Sequence, residues 1–327
     1  MKKIVLVLLI SILLSTLYSC NNNDALPNAT GKAWELVLVI NKDKWKSNIG
    51  ENFKSVFSKD MPGLPQSEPL FDVVNIPHAA YTDIFKTHRN VIITQIGPEI
   101  KEAKITIKEN VWANPQVFIS IVAPNDSLFN VLLNNQKDKI VSYIAKAERQ
   151  RTIDNYSLYE EKLIGNNLSK KHNLRMIFPK GYNIDKDTNN FIWASYETSE
   201  ISQAVLVYYY EYKNVNVFEL SNLLKTRDSI CKLYVPGPLP NTYMTTEKEI
   251  YPPELKEIMV DSVYTAEVRG LWRVENDYMG GPFVSLSRVD KKRNRVVTVE
   301  GYVYAPRGEK RNYVRQLEAI LYSLKFE

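Results

Sequence analysis

One stretch constrains the fold more than any other: residues 295–305, RVVTVEGYVYA. Side chains on a strand alternate between faces, so Val297, Val299, Gly301 and Val303 point one way. Val296, Thr298, Glu300, Tyr302 and Tyr304 point the other way. The first set is a core face. The second is mixed, with a carboxylate between threonine and tyrosine. Residues 283–289 and the polar turn DKKRN precede it, so the two runs read as a hairpin. A chain carrying this hairpin must build a sheet and bury at least one side of it.

The remaining pattern supplies more strands and five helices. Apolar runs at 34–40, 90–94, 105–108 and 117–122 read as strands, as do 174–178, 191–196, 204–212 and 264–274. Helices are expected over 45–57, 81–89, 126–151, 217–234 and 310–324, the second of these short and polar. In the third, Ile140, Tyr143, Ile144 and Ala147 share a face, and in the last Val314, Leu317, Ile320, Leu321 and Leu324 do. Proline and glycine stop two of the helices, in PGLP at 62–65 and PGPLP at 236–240. Each break leads to a loop, strands, a proline-led strand (PQVFIS at 115–120, PFVSLS at 282–287) and a closing helix. This parallel reads as an internal duplication. The expected fold class is α+β: two related domains, each a mainly antiparallel sheet with helices packed on one face.

A length of 327 residues suits two domains, and 44% hydrophobic with 24% charged residues is the composition of a folded body. The expected division is a signal peptide over 1–20, a polar tether over 21–30, an N-terminal α+β domain over 31–160 and a C-terminal one over 165–327. Lys2 and Lys3 account for two of the five net positive charges, leaving about +3, too weak and too dispersed to argue for nucleic acid.

The first twenty residues read as an address. Lys2 and Lys3 precede an apolar run over 4–14, too short for the roughly 20 residues that span a bilayer. Leu17, Tyr18, Ser19 and Cys20 then resemble a bacterial lipobox, with Cys20 carrying the lipid. Acyl chains at about 0.8 kcal/mol per buried CH₂ make a stable anchor. The expected location is the cell envelope, at an outer membrane and facing the periplasm, with surface display open. Cys20 and Cys231 are the only cysteines, so a lipidated Cys20 leaves no internal disulfide.

Several blocks carry a resemblance: RGLW at 269–272, MGGPFV at 279–284, EGYVYAP at 300–306 and RQLEAILYSL at 315–324. With FDVVNIP at 71–77, THRN at 87–90 and WANPQ at 112–116, they resemble an uncharacterised family of Bacteroidota lipoproteins, domain of unknown function 4837. The resemblance implies a lineage and a lipid anchor, palmitate included. It implies no reaction and brings no functional residue.

The residues themselves supply little chemistry. His78, His88 and His172 lie far apart, and no HExxH or CxxC appears, so no metal and no cofactor is expected. No phosphate loop or GxSxG elbow occurs. Ser229 and Lys232 match SxxK, but no SDN or KTG follows, and Cys231 falls on the apolar stripe of its helix with Leu220, Leu223 and Leu224. No catalytic residue is assigned on this basis. Asp126-Ser127, Asp228-Ser229 and Asp261-Ser262 each precede an aliphatic residue, a pattern similar to Bacteroidota O-glycan acceptors, and Ser127 and Ser262 fit it best.

The expected ligand surface is the face of Glu300, Tyr302 and Tyr304, next to a loop at 279–282 whose Gly280 and Gly281 permit positive φ or close backbone approach. There rings would stack on sugar and Glu300 would accept hydrogen bonds. Against this stands a solvated sheet face, with Glu300 paired to Arg288 or a lysine. The leading function is a non-catalytic envelope protein that binds a protein or glycan. The alternative is a glycan or peptidoglycan hydrolase with Glu300 as acid or base, which needs a second carboxylate within about 5–10 Å. A third is an assembly factor with a large apolar patch.

Overall fold

Three of the apolar runs line up side by side and in the same direction. In the computed structural model, which describes residues 25–327, β1 (Glu35–Val39) pairs in parallel with β3 (Asn90–Ile96), and β3 with β5 (Val117–Ala123). β2 (Asp72–Ile76) flanks β1, and β4 (Lys104–Glu109) runs antiparallel to β5, giving the order β2-β1-β3-β5-β4. Leu36, Leu38 and Ile92 are as fully buried as Val37, Val39 and Val91, so the central strands are covered on both faces. Two-sided burial is why these segments read as near-continuous apolar runs, and it is the signature of parallel pairing. The expectation of a mainly antiparallel sheet is therefore corrected for this half.

The second sheet is antiparallel throughout. Its order is β10 (Met244–Thr246), β12 (Val263–Val274), β13 (Gly280–Asp290), β14 (Arg295–Tyr304), β9 (Ser202–Glu211), β8 (Phe191–Glu197) and β7 (Asn183–Asp187), with β11 (Glu254–Val260) beside β12. A two-residue pair, β6 (Leu174–Arg175) with β15 (Lys325–Phe326), ties the C-terminus back. The two sheets share no strand order, so the parallel seen between the halves in sequence does not extend to topology. The chain is α+β with two domains.

Four long helices accompany the sheets: α1 (Asn48–Phe57), α2 (Asp126–Leu158), α3 (Leu220–Tyr234) and α4 (Arg311–Tyr322). Residues 81–89 form only a helical turn at Asp83–Lys86. Ser47 opens α1 by accepting a hydrogen bond from Ile49 N at 3.2 Å. The five residues expected on the stripe of α4 are all buried. Leu317, Ile320 and Leu321 are fully so, each contributing about 1.5–3 kcal/mol. α3 lies over the Glu300 face of the second sheet and α4 over the opposite face, where a side chain on Gly301 would stand 2.8 Å from Leu317 Cβ. Helices on both faces replace the one-sided covering expected.

Packing divides the chain differently from a cut at 160–165. Among the described residues, one unit gathers 25–43 with 74–129; the other gathers 44–73 with 130–327. Side-chain bonds explain the placement of 44–73. The buried Glu68 carboxylate accepts from the backbone N–H groups of Lys310 and Arg311, both at 2.8 Å, and so caps α4 from 242 residues away. Arg311 clasps Asp72 through two bonds of 3.0 and 2.7 Å, and Gly63 N donates to Tyr251 Oη at 2.9 Å. Beneath α4 lies an ionic layer. Arg269 donates to Glu267 at 2.9 Å and to Glu318 at 2.5 Å, and Arg315 donates to Glu318 at 3.1 Å.

Candidate functional site

The strand that anchors the argument, β14, is buried on both faces, Glu300 included, with 0% of its surface exposed. β14 sits between β13 and β9, which places Glu300 opposite Ser285 on one side and Leu206 on the other. α3 crosses above and delivers Arg227. Its Nε lies 3.0 and 2.9 Å from the two carboxylate oxygens, and Nη2 donates to Oε1 at 2.7 Å. Nη1 donates to Thr246 Oγ1 at 2.8 Å, and the guanidinium stacks 4.0 Å over the Phe283 ring. Burial pushes the Glu300 carboxyl above its ordinary range, with Arg227 pulling the other way. Burial also works against the charge on Arg227, and the carboxylate more than offsets it.

Glu300 is thus no ligand platform. Both its oxygens are engaged and no surface is open, so no substrate atom reaches it as acid or base. Its partner is Arg227, not the cross-strand Arg288. Arg227 could have been found from sequence: it extends the apolar stripe of Leu220, Leu223, Leu224 and Cys231, and a buried arginine requires a buried acid.

Further along the same face the packing opens. Tyr302 and Tyr304 both meet Trp272, at 5.5 Å edge-on and 6.2 Å tilted, and Trp272 Nε1 donates to Val303 O at 3.1 Å. That bond exists because Gly281 carries no side chain: a Cβ there would lie 2.1 Å from Val303 O and 3.1 Å from the indole nitrogen. Gly280 and Gly281 therefore begin strand β13, and neither sits in a loop nor has positive φ. Of the two roles expected for them, close backbone approach is the one the structure uses.

Beyond Tyr302 and Tyr304 lies a cleft of about 830 Å³. Its walls are the β8–β9 turn at 198–201, the Val235–Pro238 segment after α3, Met279, and residues 306–308. Trp193 and Tyr313 complete an aromatic lining of five rings. The Trp193 indole N–H is buried and has no hydrogen-bond partner among the described residues. Glu197 and Glu200 stand on one wall and Arg307 on another. Near Glu197, burial raises the Asp185 carboxyl, the Glu197 charge adds to this, and a hydrogen bond from Ser195 opposes it. The Tyr302 hydroxyl is pushed far above its ordinary range by burial, with the acids around it contributing. Such a site presents part-exposed aromatic rings over a buried aromatic floor, with exposed carboxylates at its wall.

Two family models match the chain. One, DUF8532, a domain of unknown function, covers residues 29–157. The other covers the sheet and cleft just described. Residues 161–323 form a DUF4837 domain, a domain of unknown function. No curated protein matches the chain. Among solved structures it is similar to the Ran-binding protein Mog1p of Saccharomyces cerevisiae, 8% identical over 47% of this chain and 90% of that one, with a TM-score of 0.31. A Bacteroides thetaiotaomicron protein is 12% identical over 49% of this chain and 47% of that one, with a TM-score of 0.22. The human StarD13 lipid transfer and protein localization domain is 13% identical over 51% of this chain and 97% of that one, with a TM-score of 0.24. Likenesses of this size carry no argument about function.

The other candidate residues are dispersed. In the DUF4837 domain, Ser229 donates to Lys225 O at 2.8 Å, while Lys232 reaches over the Tyr243 ring at 4.9 Å, so the two do not meet. Cys231 is fully buried, and burial pushes its thiol up to about 12. His172 is buried between Tyr209 Oη at 3.1 Å and Asp187 Oδ1 at 3.0 Å. Desolvation lowers its pKa, against the pull of Asp187. His88 lies 2.6 Å from Glu35 Oε1, and His78 lies 2.9 Å from Asn41 Oδ1. Among the described residues no group of three or more His, Cys, Asp or Glu is placed to hold a metal ion. Ser262 is exposed in the β11–β12 turn and Ser127 in the first turn of α2. Cys20, the apolar run before it and the start of the tether lie outside the described residues.

Proposed function

We propose that this is a non-catalytic binding protein of the cell envelope, held to the membrane by lipid on Cys20, whose DUF4837 domain takes a glycan in the cleft beside Tyr302 and Tyr304. The observation that carries the reading is the convergence of Trp193, Trp272, Tyr302, Tyr304 and Tyr313 on one cleft with carboxylates at its wall. A volume of about 830 Å³ is in the range of small-molecule sites. The part-exposed rings of Trp193, Tyr304 and Tyr313 suit the C–H surfaces of sugars, while the exposed Glu197 and Glu200 suit hydroxyl groups. The lipobox pattern ending at Cys20 supports the anchor. An outer-membrane, periplasm-facing lipoprotein of Bacteroidota type, with its signal peptide removed and palmitate among its acyl chains, is the proposed setting.

The test is titration of the purified protein with glycan and muropeptide panels, read by tryptophan emission and calorimetry. At least one saccharide class is expected to bind, and Tyr304→Ala and Trp193→Ala are each expected to weaken it about tenfold, since one stacked ring is worth roughly 1–1.5 kcal/mol. A panel without a binder, or binding that both variants leave unchanged, refutes the site.

A further inference from the structure

Three segments of the N-terminal unit are laced together where the chain arrives from its first residues. Asn114 N donates to Pro27 O at 2.9 Å, and Ala29 N returns a bond to Asn114 O at 3.2 Å. Thr30 N donates to Thr87 O and Arg89 N to Thr30 O, both at 2.9 Å. The Gln116 side chain joins the other two segments. Its Nε2 donates to Lys86 O at 2.6 Å and His88 O at 2.7 Å, and its Oε1 accepts from Trp112 N at 2.9 Å.

The laced segments carry apolar side chains that water touches. Trp112 is 45% exposed, Ile84 75% and Leu26 41%. Lys86 stands 5.1 Å from the Trp112 ring centroid and 2.9 Å from Asp83 Oδ1, so its charge is matched on the spot. Tryptophan is enriched at the water boundary of membranes, where one side of the ring is apolar and the other wet.

Chain length says what covers this patch. Leu26 is six residues beyond Cys20, and an extended chain advances at most about 3.6 Å per residue, so Leu26 lies within roughly 20 Å of that cysteine. Pro27, the next residue, is already bonded to Asn114, two residues past Trp112. A lipid on Cys20 therefore keeps Leu26 within roughly 20 Å of the bilayer. We propose that Trp112, with Ile84 and Leu26, seats in the boundary between headgroups and acyl chains of the membrane that holds the lipid. This inference rests on the Cys20 anchor proposed above. The contact orients the N-terminal unit on the membrane, and because the Lys86 charge is already matched by Asp83, it needs no anionic lipid.

The test uses the acylated protein purified from membranes, its Cys20 modification read by mass, in phosphatidylcholine vesicles with bromine near the headgroup end of the acyl chains. Tryptophan emission is expected to fall relative to unbrominated vesicles. Trp112→Phe is expected to lose that quenching with circular dichroism unchanged, and Ile84→Ser to reduce it. Equal quenching of the wild type and Trp112→Phe, both acylated and vesicle-bound, overturns the docking and leaves the anchor standing. An unmodified Cys20, or protein that does not float with the vesicles, overturns both.

Discussion

Removing Arg227 is the most informative perturbation of this molecule. In Arg227→Leu the Glu300 carboxylate loses contacts of 3.0, 2.9 and 2.7 Å and remains with no exposed surface. Breaking a buried pair from one side costs about 3–5 kcal/mol, because the surviving charge has neither water nor a partner. Equilibrium urea unfolding, followed by circular dichroism, is the assay. Arg227→Leu is expected to lose stability in that range at pH 7, and Arg227→Leu with Glu300→Leu to recover most of it, since the double variant buries no charge. The pH dependence adds a signature. In the single variant burial, with the Asp228 charge adding to it, raises the folded pKa of Glu300 above the unfolded value. The variant's stability is then best below the ordinary carboxylate range and falls as pH rises through it, so the deficit against wild type shrinks in acid. A loss under about 1 kcal/mol, or a double variant no better than the single, refutes the reasoning.

Two further outcomes follow from other parts of the fold. Gly281→Ala puts a methyl 2.1 Å from Val303 O and against the Trp272 indole, so it is expected to cost about 1–3 kcal/mol in thermal unfolding and to disturb the cleft floor. The Glu318 carboxyl is buried, yet Arg315, Arg269 and Arg149 outweigh that desolvation and hold it down at about 2. A depressed carboxylate stabilises the fold above its unfolded pKa near 4.5, and this contribution, roughly 3 kcal/mol, is lost as pH falls toward 2. Glu318→Gln is expected to lower stability at neutral pH and to flatten the acid limb between those values in a pH-stepped melt.

The hairpin of β13 and β14, the stripe of α4 and the burial of Cys231 were legible because each is a local period: alternate residues on a strand, every third or fourth on a helix. The aromatic character of residues near 302–304 was legible for the same reason. Parallel pairing of β1, β3 and β5 had a local sign too, in runs apolar on both faces, but the antiparallel reading of the second half was carried over to them.

What the sequence alone determined is the long central strands and the four long helices, the α+β class, and the tyrosines of one strand face; the short edge strands β2, β7, β10 and β11 carried no such signal. Only tertiary structure decided what covers that face. Whether Glu300 meets solvent or a guanidinium depends on where a helix 73 residues earlier comes to rest, and no period in β14 encodes that. The same holds for Glu68, which caps a helix 242 residues away, and for Trp193, brought to the cleft by a strand two removed from β14. Periodicity reports which side of an element is buried. The partner that buries it is fixed by the packing of the whole chain.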